Sequence, residues 1–76
     1  MEITAGQWLQ DCDPRYHGRK VLVHTVEEQE CIDTAAYQYA VYFNGRHNFR
    51  IRLERIKPAD YTGRKGWKLT TAPDAT

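Results

Sequence analysis

The chain has 76 residues, of which 41% are hydrophobic and 28% charged, and a formal net charge of +1. A chain of this length supports one small domain, because it buries only about 60% of the surface that its unfolded form exposes. A deep pocket of ~300 Å³ or more for a small-molecule substrate is therefore not expected beside the core. No apolar run approaches the ~18 residues of a membrane span. The first ten residues lack the basic and apolar regions of a secretory signal, so we expect a cytoplasmic protein that acts away from membranes.

The first half of the chain predicts two strands separated by a loop. Residues 7–10 form a short first strand, and residues 20–26 form a second one because they are rich in β-branched side chains. Residues 11–18 lie between them and contain Asp-Pro and His-Gly pairs, which favour turns.

Residues 27–36 allow two interpretations. Thr25 and Glu28 have the spacing of a capping box, and apolar side chains follow at helical spacing. The same residues also suit an acidic loop that leads into a third strand. We favour the loop, because the period-two alternation of a strand begins at Tyr37.

A β-hairpin around residues 44–45 is the clearest local pattern. Larger apolar or aromatic side chains at the odd positions of residues 37–43 alternate with Gln38, Ala40 and Tyr42, and apolar residues alternate with charged ones over residues 49–54. The Asn-Gly pair between the two runs is a preferred turn sequence. This pattern predicts a strand, a tight turn and an antiparallel partner strand.

The register of this hairpin decides which side chains share a face. A two-residue turn pairs Phe43 with Arg46 and mixes apolar side chains with arginines. A three-residue turn pairs Tyr39 with Phe49 and gives one wholly apolar face, so we predict this register. The outer face of the predicted hairpin then carries Arg46, Asn48, Arg50 and Arg52 beside Tyr42.

The remaining elements complete an all-β domain. Residues 58–61 favour a turn or a single helical turn, residues 63–66 a tight basic loop, and residues 67–69 a final short strand. Five short strands with a short helical turn before the last one follow the order of an SH3-like barrel, whose partial closure hides strand edges. We therefore predict a single five-stranded SH3-like barrel over residues 1–69. Residues 70–76, which lack a large apolar side chain, are predicted to be a disordered tail.

A motif in the first loop carries a resemblance. Residues 6–19 spell G-x-W-x-x-D-x-D-P-R-x-x-G-R, and a valine-rich strand and the run at residues 51–55 follow. With these features the chain resembles small uncharacterised proteins of bacteria and their phages over residues 5–69. The resemblance implies a prokaryotic or phage cytosolic setting and no particular chemistry. Residues 58–61 are also similar to the turn before the last strand of eukaryotic SH3 domains, although the paired tryptophans of those domains are absent.

Residues that carry catalysis or bind metals are sparse. The chain contains no serine, and its three histidines lie in separate predicted elements. Cys12 and Cys31 are expected to be reduced thiols, because no export signal is visible and two cysteines are too few for a disulfide scaffold. Neither has a histidine at the spacing of a zinc ligand pair. Residues 63–66 lack the spacing and the hydroxyl of a phosphate-binding loop. We therefore expect a non-enzymatic binding module without a cofactor or a metal.

The small net charge conceals a division along the chain. Residues 1–38 carry three basic and seven acidic side chains, whereas residues 39–76 carry eight basic and three acidic ones. Arginines two residues apart on a strand lie ~7 Å apart on one face. Their guanidinium groups bind phosphates bidentately, and a neighbouring aromatic ring can stack on a base. We predict a nucleic-acid surface, DNA or RNA, formed by Arg46, Arg50, Arg52, Tyr42 and Asn48, with Arg64, Lys65 and Lys68 as a second cluster.

Two alternatives stay open. The arginines could pair with carboxylates of neighbouring strands and serve only as a solvated surface. The chain could also be a phage-encoded factor that inhibits or redirects a host protein machine, with its acidic segment occupying a basic site on that protein. The residues for such a protein contact are Glu27, Glu28, Glu30 and Asp33. In either case we expect a monomer or a weak homodimer.

Overall fold

The computed structural model describes residues 2–30 and 36–73, with all their side chains except those of residues 29, 30 and 36. Over this part the chain is mainly β, as predicted, with seven strands and two short 3-10 helices. The strands are β1 (Trp8–Asp11), β2 (Lys20–Leu22), β3 (Thr25–Glu30), β4 (Ala36–Phe43), β5 (Asn48–Arg52), β6 (Ile56–Lys57) and β7 (Trp67–Thr70). The 3-10 helices are Pro14–Tyr16 and Leu53–Arg55.

The strands form two sheets, and neither closes into a barrel over the described residues. The first sheet has the order β2-β1-β7-β6, and the second has the order β3-β4-β5. Neighbouring strands are antiparallel except for β6 and β7, which are parallel. Both 3-10 helices are single turns, so no helix in residues 2–30 and 36–73 has the length or apolar character to cross a membrane.

The predicted second strand is divided between the two sheets. The backbone N–H of Val23 donates to the carbonyl of Gln7 at 2.9 Å, next to β1 of the first sheet. The backbone N–H of His24 donates to the carbonyl of Val41 at 2.7 Å, in the second sheet. The chain therefore crosses from one sheet to the other within one residue. The Val23 side chain is buried at this crossing and belongs to the hydrophobic core.

Residues 27–30 are a strand, so both the loop and the helix predicted for them are wrong. They continue β3, where Glu27 lies opposite Tyr39 and Glu28 lies opposite Gln38. Pairing with the long strand β4 satisfies the backbone of this segment and overrides the local preferences of its glutamates. Ala36, the last residue of the predicted loop, begins β4, whereas residues 31–35, Cys31 among them, lie outside the described residues.

The predicted register of the hairpin is also wrong. Phe43 lies opposite Asn48 and Tyr42 lies opposite Phe49, so the connection contains the four residues 44–47 instead of three. The side chain of Asn44 stabilises this longer loop, because its Oδ1 accepts hydrogen bonds from the backbone N–H groups of Arg46 at 3.0 Å and His47 at 2.9 Å.

The observed register moves Tyr42 to the buried side of its sheet. Tyr42 is 8% exposed, and its ring stacks on that of Phe49 with a centroid distance of 5.4 Å. It also packs against Trp67 of the first sheet, at a centroid distance of 5.7 Å. Tyr42 thereby joins the core between the two sheets, which comprises Ile3, Leu9, Val23, Ala40, Tyr42, Ile51 and Ile56.

The C-terminal part differs from the prediction in the place of its helical turn. The 3-10 helix directly follows β5, whereas residues 58–61 form a turn closed by the Tyr61 N–H donating to the Pro58 carbonyl at 3.1 Å. Strand β7 extends through Thr70, the first residue of the predicted tail. The ammonium of Lys20 donates to the carbonyl of Thr71 at 3.1 Å, and residues 74–76 lie outside the described part.

Two leucines test how far the core determines stability. Leu9 is 0% exposed in β1, whereas Leu22 is 45% exposed in β2. Leu9→Ala is expected to lower the free energy of unfolding by about 2–5 kcal/mol, because it leaves a cavity in the core. Leu22→Ala is expected to change it by about 0.5 kcal/mol or less. Urea denaturation of both variants checks the difference, and equal losses would contradict the placement of the core.

Candidate functional site

The loop that follows β1 is organised by the carboxylate of Asp11. This side chain is buried and accepts hydrogen bonds from the backbone N–H of Asp13 and from Nε of Arg19, each at 3.0 Å. The backbone N–H of Asp11 donates to the Arg19 carbonyl at 2.9 Å. One residue therefore holds both ends of the loop together and fixes the arginine at its far end.

A second aspartate caps the 3-10 helix inside this loop. Oδ1 of Asp13 accepts from the backbone N–H of Arg15 at 2.9 Å, and its Oδ2 pairs with Nη2 of Arg15 at 2.7 Å. Hydrogen bonding by the Arg15 side chain lowers the pKa of the Asp13 carboxyl below its usual value. The helix ends in left-handed backbone at His17 and Gly18. The aspartates of the sequence motif are thus used to shape the loop.

Arg19 is held between two aromatic rings. Its guanidinium carbon lies 4.2 Å from the ring centroid of Tyr16 and 5.2 Å from that of Trp67. Both distances lie within the range of cation–π attraction, which adds to the ion pair with Asp11. The guanidinium is consequently fixed in position while 45% of its side chain stays accessible to solvent.

Basic residues from distant parts of the chain meet beside this loop. They surround an open groove of about 510 Å³, which we call the basic groove. Five cationic side chains line it against only two carboxylates, and both carboxylates are already paired within the loop. The cations are Arg15, Arg19, Arg55, Arg64 and Lys65, and the carboxylates are those of Asp11 and Asp13.

Gly66 allows the loop that carries Arg64 and Lys65 to approach the second 3-10 helix closely. Gly66 has a φ of +75°, and a Cβ at this position would lie 2.5 Å from the carbonyl oxygen of Arg55. The Gly66 carbonyl in turn accepts from the backbone N–H of Cys12 at 3.0 Å. The loop that carries Arg64 and Lys65 is therefore held against both the second 3-10 helix and the loop at residues 12–19 that follows β1, which we call the motif loop.

The second predicted basic cluster is divided by the fold. Arg64 and Lys65 line the basic groove, as described above. Lys68 lies in β7 opposite Gln10 and beside Lys57, whereas Trp67 lies opposite Asp11. Trp67 lines the basic groove. Because side chains alternate along a strand, Lys68 points to the face of the first sheet opposite to that of Trp67.

The hairpin arginines are engaged with neighbouring side chains. Nε of Arg50 pairs with Glu27 at 3.2 Å, and Nη1 of Arg52 pairs with Glu54 at 3.4 Å. The guanidinium of Arg52 also lies 4.2 Å from the ring centroid of Tyr37. Hydrogen bonding with Tyr39, and then with Glu54, raises the pKa of Arg52.

Of the other predicted hairpin residues, Asn48 shares the face of Arg50 and Arg52, because side chains alternate along β5. Arg46 and Asn48 are exposed at the end of the hairpin. Tyr42, however, is buried on the opposite side of the sheet, so its predicted grouping with Arg50 and Arg52 is wrong. A change of register by an odd number of residues has moved it to the other face.

The predicted acidic surface is only partly described. Glu27 is half-buried in its ion pair with Arg50, and Glu28 is exposed on the same strand. The side chain of Glu30 and the whole of Asp33 lie outside the described part of the structure.

A second groove, which the sequence did not indicate, adjoins the basic groove. We call it the aromatic groove; it has a volume of about 660 Å³ and shares Tyr16 and Arg19 with the basic groove. Its other lining residues are Trp8, Lys20, Val21, Leu22, Tyr42, Phe43, Asn44 and Phe49. Phe49 lies opposite Tyr42 on the core side of its sheet but remains 41% exposed, and Phe43, at the end of β4, is 59% exposed.

The thiol of Cys12 is not activated. Burial raises its pKa, a nearby Asp11 carboxylate raises it further, and Lys68 acts in the opposite direction. The net rise keeps the group as the unreactive thiol near neutral pH. Within residues 2–30 and 36–73, no group of three or more histidine, cysteine, aspartate or glutamate side chains is arranged to hold a metal ion.

No protein-family model, no curated protein and no solved structure matches this chain.

The ion pair of Asp13 predicts a dependence of stability on pH. Because the native pKa of Asp13 is lowered, its stabilising effect is fully present above the unfolded-state value near 3.9 and is lost as the pH falls through the native value. Asp13→Asn is therefore expected to be less stable than the parent protein at pH 7, and the gap should narrow as the pH falls below the unfolded-state value.

Urea denaturation midpoints measured across this pH range check the expectation. Asp60→Asn, at an exposed carboxylate in a turn, is the matched control and should show a much smaller gap. A gap between Asp13→Asn and the parent that stayed constant with pH would contradict the role of the ion pair.

Proposed function

We propose that the protein is a non-enzymatic binding module that contacts nucleic acid through the basic groove. The observation that carries this proposal is the convergence of five cationic side chains around one open groove that holds only two carboxylates. Arg15 and Arg19 are the two that pair with those carboxylates. Arg55, Arg64 and Lys65 form no salt bridge within residues 2–30 and 36–73.

The type of cation and the shape of the groove favour a polyanion. Four of the five cations are arginines, whose planar guanidinium groups bind phosphate oxygens in pairs. The groove is open along the surface, which suits an extended strand better than an enclosed small molecule. A chain of regularly spaced phosphates can therefore contact several of these cations at once.

The pairing of the strands supports an SH3-like arrangement for this module. If β2 and β3 are taken as one bent strand, the order becomes β6-β7-β1-β2/β3-β4-β5, with a 3-10 helix after β5. This is a meander whose last strand returns beside the first, as in small partly open barrels that bind single strands.

The hairpin arginines are weaker candidates for the same contact. Arg50 and Arg52 already pair with carboxylates, so a phosphate would have to displace Glu27 or Glu54. The resemblance to small phage proteins keeps protein binding as the alternative function, with Glu28 as an exposed acidic residue of its predicted surface. Charge variants in the basic groove, in the hairpin and on the acidic surface distinguish nucleic-acid binding from protein binding, and they also show which basic face makes the contact.

Removal of Arg64 and Lys65 tests the proposal. The double variant Arg64→Ala with Lys65→Ala is expected to weaken binding of a fluorescent oligonucleotide by about 30- to 100-fold at ~0.1 M salt, because two phosphate contacts are lost. The slope of log Kd against log salt concentration should become shallower by about 1.4 to 1.8. Fluorescence anisotropy between ~50 and ~200 mM salt measures both quantities.

The matched control removes the same charge from the hairpin. Arg50→Ala with Arg52→Ala lowers the net charge by the same amount and is expected to change the affinity much less. The reverse ranking of the two double variants would assign the contact to the hairpin face. No binding of any oligonucleotide at low salt would contradict the proposed function. A host protein recovered in a pull-down, and lost on Glu27→Lys with Glu28→Lys, would then support the alternative.

A further inference from the structure

The large hydrophobic side chains that the protein exposes converge on the aromatic groove. Among the described residues, the exposed large hydrophobics are Tyr16 (44%), Leu22 (45%), Phe43 (59%) and Phe49 (41%). All four line this one groove, although they come from three strands and the motif loop. Exposed apolar side chains are normally scattered singly over the surface of a small protein, and a contiguous patch marks a binding site.

The groove is built on the core and does not rest on loose side chains. The ring of Phe49 stacks on the buried ring of Tyr42, with an interplanar angle of 21°. Tyr42 is held in turn by Trp67 from the other sheet. Phe49 therefore presents its outer side from a fixed position, and a ligand that stacks there loses little free energy in ordering the side chain.

The charges of the groove identify the kind of occupant. Its lining residues within the described part of the chain include Arg19 and Lys20 but no aspartate or glutamate. Arg19 also lines the basic groove, where Asp11 and the ring of Tyr16 hold its guanidinium. A ligand that extends across both grooves thus contacts aromatic rings in the aromatic groove and cations in the basic groove, and Arg19 lies where the two grooves meet.

We propose that the aromatic groove stacks unpaired bases while the basic groove binds the adjoining phosphates, so that the protein selects single-stranded over duplex nucleic acid. This inference rests on the proposed function and specifies its substrate. Only an unpaired strand can turn the flat face of a base toward Phe43 or Phe49, because the bases of a duplex stack on one another. Rings that receive bases beside a cationic track are the usual means of holding single strands.

Substitution of Phe43 tests the inference. Phe43 has the most exposed of these rings, so Phe43→Ala should leave the urea denaturation midpoint unchanged. It is expected to weaken binding of an oligothymidylate of about 20 nucleotides by about 5- to 150-fold. Because no phosphate contact is lost, the slope against salt concentration should stay the same. Affinity for a duplex of equal length should be unaffected.

Two further variants separate stacking from simple apolar contact. Phe43→Trp keeps an aromatic face and should retain or increase the affinity for the single strand. Phe43→Leu keeps an apolar side chain without a ring and should resemble Phe43→Ala. Equal affinity of Phe43→Leu and the parent protein would overturn the stacking role.

The outcomes distinguish this inference from the proposed function. If single strands and duplexes bind equally, with the salt dependence expected for Arg64 and Lys65, the proposed function stands and the inference fails. If no nucleic acid binds, both fail. A dimer detected by light scattering that Phe43→Ala dissociates would assign the groove to a second copy of this chain and overturn the inference.

Discussion

The buried carboxylate of Asp11 is the interaction on which the arrangement of the surface depends. An ionised group in a protein interior costs free energy unless hydrogen bonds and an opposite charge compensate it. Asp11 receives both from one loop, from the backbone of Asp13 and the side chain of Arg19. Because this loop conformation supplies the partners of the carboxylate, the buried charge stabilises the loop in that conformation. The stack of Tyr16, Arg19 and Trp67, and with it the meeting of the two grooves, follows from that conformation.

Much of the strand content could be predicted from local pattern, whereas the hairpin register could not. Strands expected at residues 37–43 and 67–69 lie within one residue of the observed ones, since alternation and turn residues act locally. In β4, however, apolar side chains occupy every position from 39 to 43, so neither face is marked as the inner one. The hydrogen bonds of the Asn44 side chain then select a four-residue loop and reverse the expected faces.

The candidate site shows a similar division between what is local and what is not. The sequence identifies Arg64 and Lys65 as a basic cluster, but it gives no sign that Arg15 and Arg55 lie beside them. The missing Cβ of Gly66 lets its loop lie against the 3-10 helix that carries Arg55, and the Gly66 carbonyl accepts from the N–H of Cys12 in the loop that carries Arg15. Likewise, the ion pair of Arg50 with Glu27 joins residues 23 positions apart and follows from strand pairing alone. Charge counting locates the cations, and the fold decides which of them remain available.

The crossing at Val23 and His24 has a consequence for how the molecule opens. Their adjacent N–H groups hydrogen-bond to different sheets, with no flexible linker between them. A separation of the sheets at this point would expose the buried Val23 side chain to solvent, which costs free energy. The crossing therefore couples the opening of one sheet to the packing of the other.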